Sequence, residues 1–269
     1  MRKLLNLHFS QETSARNKLI YSLAKNDFKK KFKGSYFGIF WAFANPLITI
    51  LLYWFVFQVG FRSGITTSGA PFVVWLICGM IPWFYFAEAF ANATLSFTEY
   101  SFLVKKVVFK ISILPIVKIV SSFFIHLFFL LFLFLILIFY GIYPDIYWIQ
   151  VIYYIAGMII LLIGVSFITS SIVPFFRDMN QIVSIIVQIG FWLTPIVWSL
   201  DITPPKYQFL FKLNPFYYIA EGYRDCFLNK MWFWEKPFET LYFWIVAFSL
   251  LLVGGLLYKK LKPHFADVL

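Results

Sequence analysis

Between residues 34 and 61 the chain carries no charged side chain over twenty-eight consecutive positions. About 20 predominantly apolar residues are enough to cross the hydrocarbon of a bilayer as a helix. Five more uncharged runs follow, at 63–87 (continuing past Glu88 to about 98), 119–144, 146–176, 179–200 and 240–258. Together they predict an all-α integral membrane protein, one domain over 1–269, with transmembrane helices at 36–60, 72–97, 117–140, 147–173, 179–199 and 240–258. Several runs exceed the minimum, which predicts tilt, kinks or re-entrant turns. Prolines inside them, such as Pro46 and Pro195, are tolerated where neighbours satisfy the freed backbone groups.

Composition agrees. The 269 residues are 61% hydrophobic, 13% charged and have a mean hydropathy of +0.80, against about 25% charged residues in a soluble domain. A soluble core could not hide so much apolar surface. The net charge of +11 would suggest nucleic acid in a soluble protein; here it marks the cytoplasmic side of a membrane protein, and no nucleic-acid partner is expected. With both termini inside, seventeen Lys and Arg fall on the cytoplasmic side and six on the outer side. A multi-pass protein of the cell membrane with both ends in the cytoplasm is expected. The basic first 33 residues lack the apolar core of a cleavable signal peptide. Cys78 and Cys226 have neither metal-ligand spacing nor a disulfide framework around them.

Ahead of the first run stands "AKNDFKKKFK". On a helix over about 15–33, Lys18, Lys25, Lys29 and Lys33 share one face, and Ile20, Leu23, Ala24 and Phe28 the opposite one. That is the pattern of a helix lying in the membrane interface with its lysines at anionic headgroups; an ordinary solvated helix end is the alternative. Gly34 would permit the turn into the bilayer. At the other side, residues 201–234 carry Pro204-Pro205 and apolar patches too short to span. They read as two short helices dipping into the outer leaflet and returning, or else as a surface loop. The segment "TEYSFLVKKVVFKISILP", 98–115, mixes aromatics with lysines. It reads as a short amphipathic helix ending in a break at Pro115, able to dock on a soluble partner, or as a plain connecting loop.

Catalytic chemistry is thinly represented. Twelve acids are scattered, and the outer ones (Asp145, Asp201, Glu221, Asp225, Glu235, Glu239) suggest no pair. No G-x-x-x-x-G-K-[ST] phosphate loop and no Cys/His metal arrangement occurs, so neither metal nor nucleotide is expected on this chain. Glu88 and His126 are the ionisable residues inside predicted spans and are functional candidates by position. A hydrogen-bonded group at a helix interface, with Ser121 or Ser122 beside His126, is the plainer reading.

Several stretches resemble one family. "GSYFGIFWAFANPLITILLYWFVF", "VPFFRDMNQIV", "FWLTPIVWSLDITPP" and "LNPFYYIAEGYRDCFL" resemble, in order, the first span, the fourth-to-fifth turn, the fifth span and the outer re-entrant segment of ABC-2 type permeases that export cell-surface polysaccharides. "LLYWFVFQVGFRSG", "APFVVWLICGMIPWFYF" and the terminal "HFADVL" look most like the teichoic acid translocation permeases within it. O-antigen and capsular polysaccharide permeases share the "FFRD" and "TPI" elements.

The resemblance implies a permease that is not catalytic by itself. It would work as a homodimer with two copies of a separate ABC ATPase subunit that holds ATP and Mg, and would export an undecaprenyl-diphosphate-linked polymer. Residues 100–110, through Phe102, Lys105, Lys106 and Phe109, would be the main ATPase contact, with Arg177 and Asp178 a smaller second one. Lys25, Lys29, Lys30 and Lys33 would gather the diphosphate headgroup. A capsular or O-antigen substrate, a membrane-embedded enzyme of lipid-linked glycan synthesis and a small-molecule efflux permease are the rival readings.

Overall fold

The computed structural model describes residues 2–33, 36–61, 69–104 and 110–268. Gly34, Arg62, Lys105, Lys106 and Phe109, to which the sequence gives roles, lie outside those residues.

Twelve α-helices succeed one another among the described residues. They are α1 (Arg2–Lys31), α2 (Phe40–Trp54), α3 (Phe72–Thr94), α4 (Ser96–Glu99), α5 (Ser101–Val104), α6 (Ile113–Phe139), α7 (Val151–Ile172), α8 (Met179–Leu193), α9 (Pro205–Lys212), α10 (Pro215–Arg224), α11 (Pro237–Leu261) and α12 (Phe265–Val268). With their short 3₁₀ and π extensions, five stretches are long and apolar enough to cross a membrane: Phe40–Gly60, Phe72–Thr94, Ile113–Phe139, Ile146–Ile172 and Pro237–His264. This is a multi-pass membrane protein.

Its sixth apolar helix, α8, has 15 residues and stops short of the predicted end at 199. The cause is Pro195. The residue before a proline is driven out of the helical region, and Thr194 is extended at φ −98°, ψ 129°. Pro115 behaves in the opposite way. It was expected to break the chain, but it sits in the first turn of α6, where its missing N–H has no helical acceptor to lose. Among the described residues of the segment before it, two single turns, α4 and α5, stand where one helix is expected. α1 is longer than the helix expected over 15–33 and begins at Arg2.

α3 packs along α6 and α7, α11 along α7, and α1 against α6. The α7–α11 approach depends on glycine. A Cβ on Gly254 would stand 2.7 Å from the Gly164 carbonyl oxygen, and one on Gly164 2.8 Å from the Leu251 nitrogen. Small residues let membrane helices approach backbone to backbone. α3 is the central element and is buried along most of its length, whereas α2 buries only Ala44 and Ile50 and α8 only Val183.

The helix ends sort onto two opposite faces. α6, 27 residues long and so about 40 Å at 1.5 Å per residue, begins beside α1, α4 and the C-terminal α12. It ends near residues 69–71, 141–145 and 227–230. Between α8 and α11 the chain folds back through α9 and α10. Asn214 caps α10 by accepting from the Phe216 N–H, and Pro215 fills the first helical position.

Candidate functional site

α1 ends in Lys29, Lys30 and Lys31. Its apolar face rests on α6, where Phe28 and Tyr21 meet the Phe124 ring edge-on at 5.8 and 6.0 Å. Lys25, Lys29, Lys30 and Lys33 are all exposed. Two polar contacts tie this helix to the bundle. Lys118, in the second turn of α6 and only 7% exposed, donates to Asp27 Oδ1 at 2.7 Å and to Glu99 Oε2 at 2.5 Å. The Tyr100 hydroxyl donates to the same Asp27 oxygen at 2.6 Å. Burial opposes ionisation of Asp27, but the hydrogen bonds from Lys118 and Tyr100 outweigh it and hold the carboxyl below its ordinary value. Burial and the neighbouring Asp27 carboxylate push the Tyr100 phenol upward. A lowered carboxyl stabilises the docked helix above the ordinary carboxylate range, and this contribution disappears as pH falls through the folded value.

The second tie is Lys31 to Glu88, an ion pair between α1 and α3. Ser122 donates to Glu88 Oε1 at 3.4 Å, and Asn92 donates to Ser122 at 3.3 Å. Glu88 thus has an interhelical partner. It also lines a cleft of about 360 Å³ between α2, α3 and α8. The cleft is walled by Tyr53, Trp83, Phe84 and Phe191, with Pro46, Thr49 and Ala87 beside them. Phe191 bridges two of these rings, 5.4 Å from Tyr53 and 5.9 Å from Trp83. The cleft therefore joins stacking faces to a carboxylate that is engaged by a lysine of α1.

His126 lies apart from this group. Its Nε2 meets the Tyr223 hydroxyl at 3.0 Å and its ring stacks on Tyr85 at 4.8 Å, so its partner is a tyrosine of the re-entrant segment instead of Ser121 or Ser122. Phe102 is exposed on α5, and Arg177 and Asp178 are exposed in the turn between α7 and α8.

At the opposite end four of the six acids pair with a cation: Asp145 with Lys230 at 2.9 Å, Glu239 with Lys212 at 3.2 Å, Asp225 with Lys236 and Glu221 with Arg224. Glu235 accepts from the Trp232 N–H at 3.2 Å, and Asp201 from Ser199 at 2.9 Å. Arg224 is 1% exposed. It donates to the carbonyls of Pro195 and Ile196 at 2.8 and 3.0 Å, and its guanidinium lies 3.5 Å from the Trp75 ring centre.

Three of these roles were missed in the sequence. Lys118 and Arg224 were counted with the loop cations, and Asp27 was unremarked. The available signal was context: Lys118 stands between apolar residues in "PIVKIV", and Asp27 is the one acid between residues 16 and 33.

Spanning helices around an aromatic cleft, with a basic helix docked on the bundle, make this a helical multi-pass membrane protein. A family model described as ABC-2 type transporter matches residues 18–228, and the chain belongs to that family. Two proteins of Klebsiella pneumoniae, each called O-antigen export system permease protein RfbA, are 32% and 33% identical over 255 residues, which is 93% of this chain and 95% of theirs. The Myxococcus xanthus protein of the same name is 24% identical over 253 residues, 93% of this chain and 94% of its own.

Proposed function

We propose that this chain is the permease half of an ATP-driven exporter of a polyprenyl-diphosphate-linked polysaccharide of the O-antigen type. The observation that carries this reading is the aromatic cleft next to the Lys31–Glu88 pair. Aromatic faces hold sugar rings loosely enough for them to pass, and the exposed lysines of α1 suit the diphosphate. Relatives named for O-antigen export along nearly the whole chain favour that glycan over the teichoic acid that the first-span and tail motifs suggest.

The working unit is a homodimer with two separate ATPase subunits, which hold ATP and Mg. α8 is exposed along more than half of its residues and α2 along one side, while Phe191 of α8 and Phe43 and Tyr53 of α2 pack on the core. A second copy packed on these faces in two-fold symmetry would enclose the cleft. Gln181, Ser184 and Gln188 form an exposed polar stripe along α8. Such a stripe is costly against lipid and suits a hydrated path between two copies.

Reconstituted with its ATPase partner in proteoliposomes, the chain is expected to export a diphosphate-linked O-antigen chain and to show ATPase stimulation by it. Export of teichoic acid precursor alone would shift the assignment to that polymer, and export of neither would overturn it. Changing Lys25, Lys29, Lys30 and Lys33 together to Gln keeps helix propensity similar. Each lysine contributes on the order of 1 kcal/mol near an anionic surface, so half-maximal stimulation is expected to need at least tenfold more substrate. An unchanged requirement would leave these lysines as a membrane anchor only.

The excess of cations on the α1 and C-terminal face favours the cytoplasm for it, and α8 with its extended continuation would make a sixth crossing. In a variant without Cys78 and Cys226, cysteines placed at Lys18 and Lys262 are expected to resist an impermeant thiol reagent added outside intact cells. One placed at Tyr143 should react. Outside labelling of the first two would reverse the orientation.

A further inference from the structure

The end of the molecule that carries α1 has a small apolar core of its own, separate from the main one. It consists of Phe97, Tyr100, Val104, Ile111, Leu114 and Phe265. Phe265 belongs to the C-terminal tail, 123 positions beyond residue 142 of the far end of the bundle's third crossing, yet it is fully buried. Its ring lies 5.1 Å from Phe97 of α4, 6.1 Å from Tyr258 of α11 and 6.0 Å from Phe175 of the α7–α8 turn. One tail residue therefore touches both of the sequence-distant connections that present exposed groups on this face. α5 presents Phe102. The other connection presents Phe176, Arg177 and Asp178.

We infer that Phe265 is a positioning residue for ATPase coupling: it fixes the 96–104 connection and the 173–178 turn in one arrangement, so that both move as a unit with α11. The inference rests on the ATPase-partner reading above. Three physical points support it. A fully buried ring held by three other rings has one packing solution, because apolar interiors are close-packed. The turn at 173–178 has no α-helix of its own, so its position depends on what it packs against. The small core is distinct from the main core, so loosening it leaves the bundle of α3, α6, α7 and α11 intact.

The test is Phe265→Ala in the permease assembled with its ATPase partner in proteoliposomes, read as ATPase kcat, KM for ATP, export rate and the melting midpoint of the complex. Per folded complex, a fall of about tenfold in export and in substrate-stimulated kcat is expected, with KM for ATP nearly unchanged and with Phe265→Leu restoring most of the activity, alongside the lower midpoint that deletion of a buried ring brings. A merely structural role would lower the midpoint and the amount of folded complex but leave export and stimulated kcat per folded complex at wild-type levels. Export and stimulated ATPase at wild-type levels in Phe265→Ala would overturn the inference. Should that variant fail to insert, Phe175→Ala reads the same contact from its other side, and normal coupling there would overturn it equally. If the unaltered chain binds no ATPase at all, the failure is that of the partner reading.

Discussion

Replacing Arg224 by Leu is expected to destabilise the protein by about 3–5 kcal/mol, the usual cost of removing one partner from a buried ionic site. Besides the Trp75 carbonyl, 3.5 Å from its Nε, three acceptors depend on this guanidinium: the Glu221 carboxylate and the carbonyls of Pro195 and Ile196. Those carbonyls are free because the chain leaves helical geometry at Thr194. The main chain at this break is buried, and a buried unpaired carbonyl is costly. Trp75 adds a cation–π contact worth about 2 kcal/mol where water is excluded. Lysine is not an adequate substitute, since a single ammonium cannot match a planar fork that serves separated acceptors. Gly79 shows how tightly the fork is seated, because a Cβ there would stand 2.7 Å from its Nη2. Denaturation of the purified protein in detergent measures the effect. An Arg224→Leu protein as stable as the parent would show that the broken end of α8 is held by other means.

The second large effect is expected at Lys118. Lys118→Met leaves Asp27, buried and ionised, facing Glu99 with no cation between them. A loss of about 3 kcal/mol in the docking of α1 is expected, at the low end for a broken buried pair because Glu99 is half-exposed. Hydrogen exchange over residues 14–31 reports it directly, as a rise confined to α1. Adding Asp27→Asn to Lys118→Met should recover part of the protection, since it removes the stranded charge, and the double-mutant cycle isolates the coupling. Acid provides an independent check. Because Asp27 titrates below the ordinary carboxylate value, α1 of the unaltered protein should remain protected through neutral and mildly acidic pH and lose protection only below about pH 4. Release at pH 6 would mean that another group controls the latch.

Sequence pattern revealed the spanning helices because lipid imposes a simple rule: long uncharged runs and internal backbone pairing. It also revealed the face of α1, since Ala24 and Phe28, placed opposite the lysines, are the residues turned toward the bundle. What could not be read was the destination of each polar group. Lys31 reaches an acid 57 positions away, and Lys118 one 91 positions away. Nothing in local periodicity encodes such pairs. The end of α8 was legible in principle, since Thr194 precedes a proline, but the uncharged run continues to Leu200 and hides the stop. The cleft was invisible for a different reason. Tyr53, Trp83 and Phe191 come from three helices, and in sequence an aromatic facing a cleft looks the same as one facing lipid.

The abrupt end of α8 has a consequence for distance. Its 15 residues make about 22 Å of helix at 1.5 Å per residue, against about 30 Å of hydrocarbon. The chain continues from there through an irregular segment, held from α9 by Gln208, which donates to the Thr203 carbonyl, and from the α10 cap by Asn214, which donates to the Thr194 hydroxyl. The helical wall on this side is therefore roughly a quarter shorter than the hydrocarbon is thick, and it is completed by main chain whose carbonyls are pinned by Gln208 and Arg224 instead of by a helical ladder.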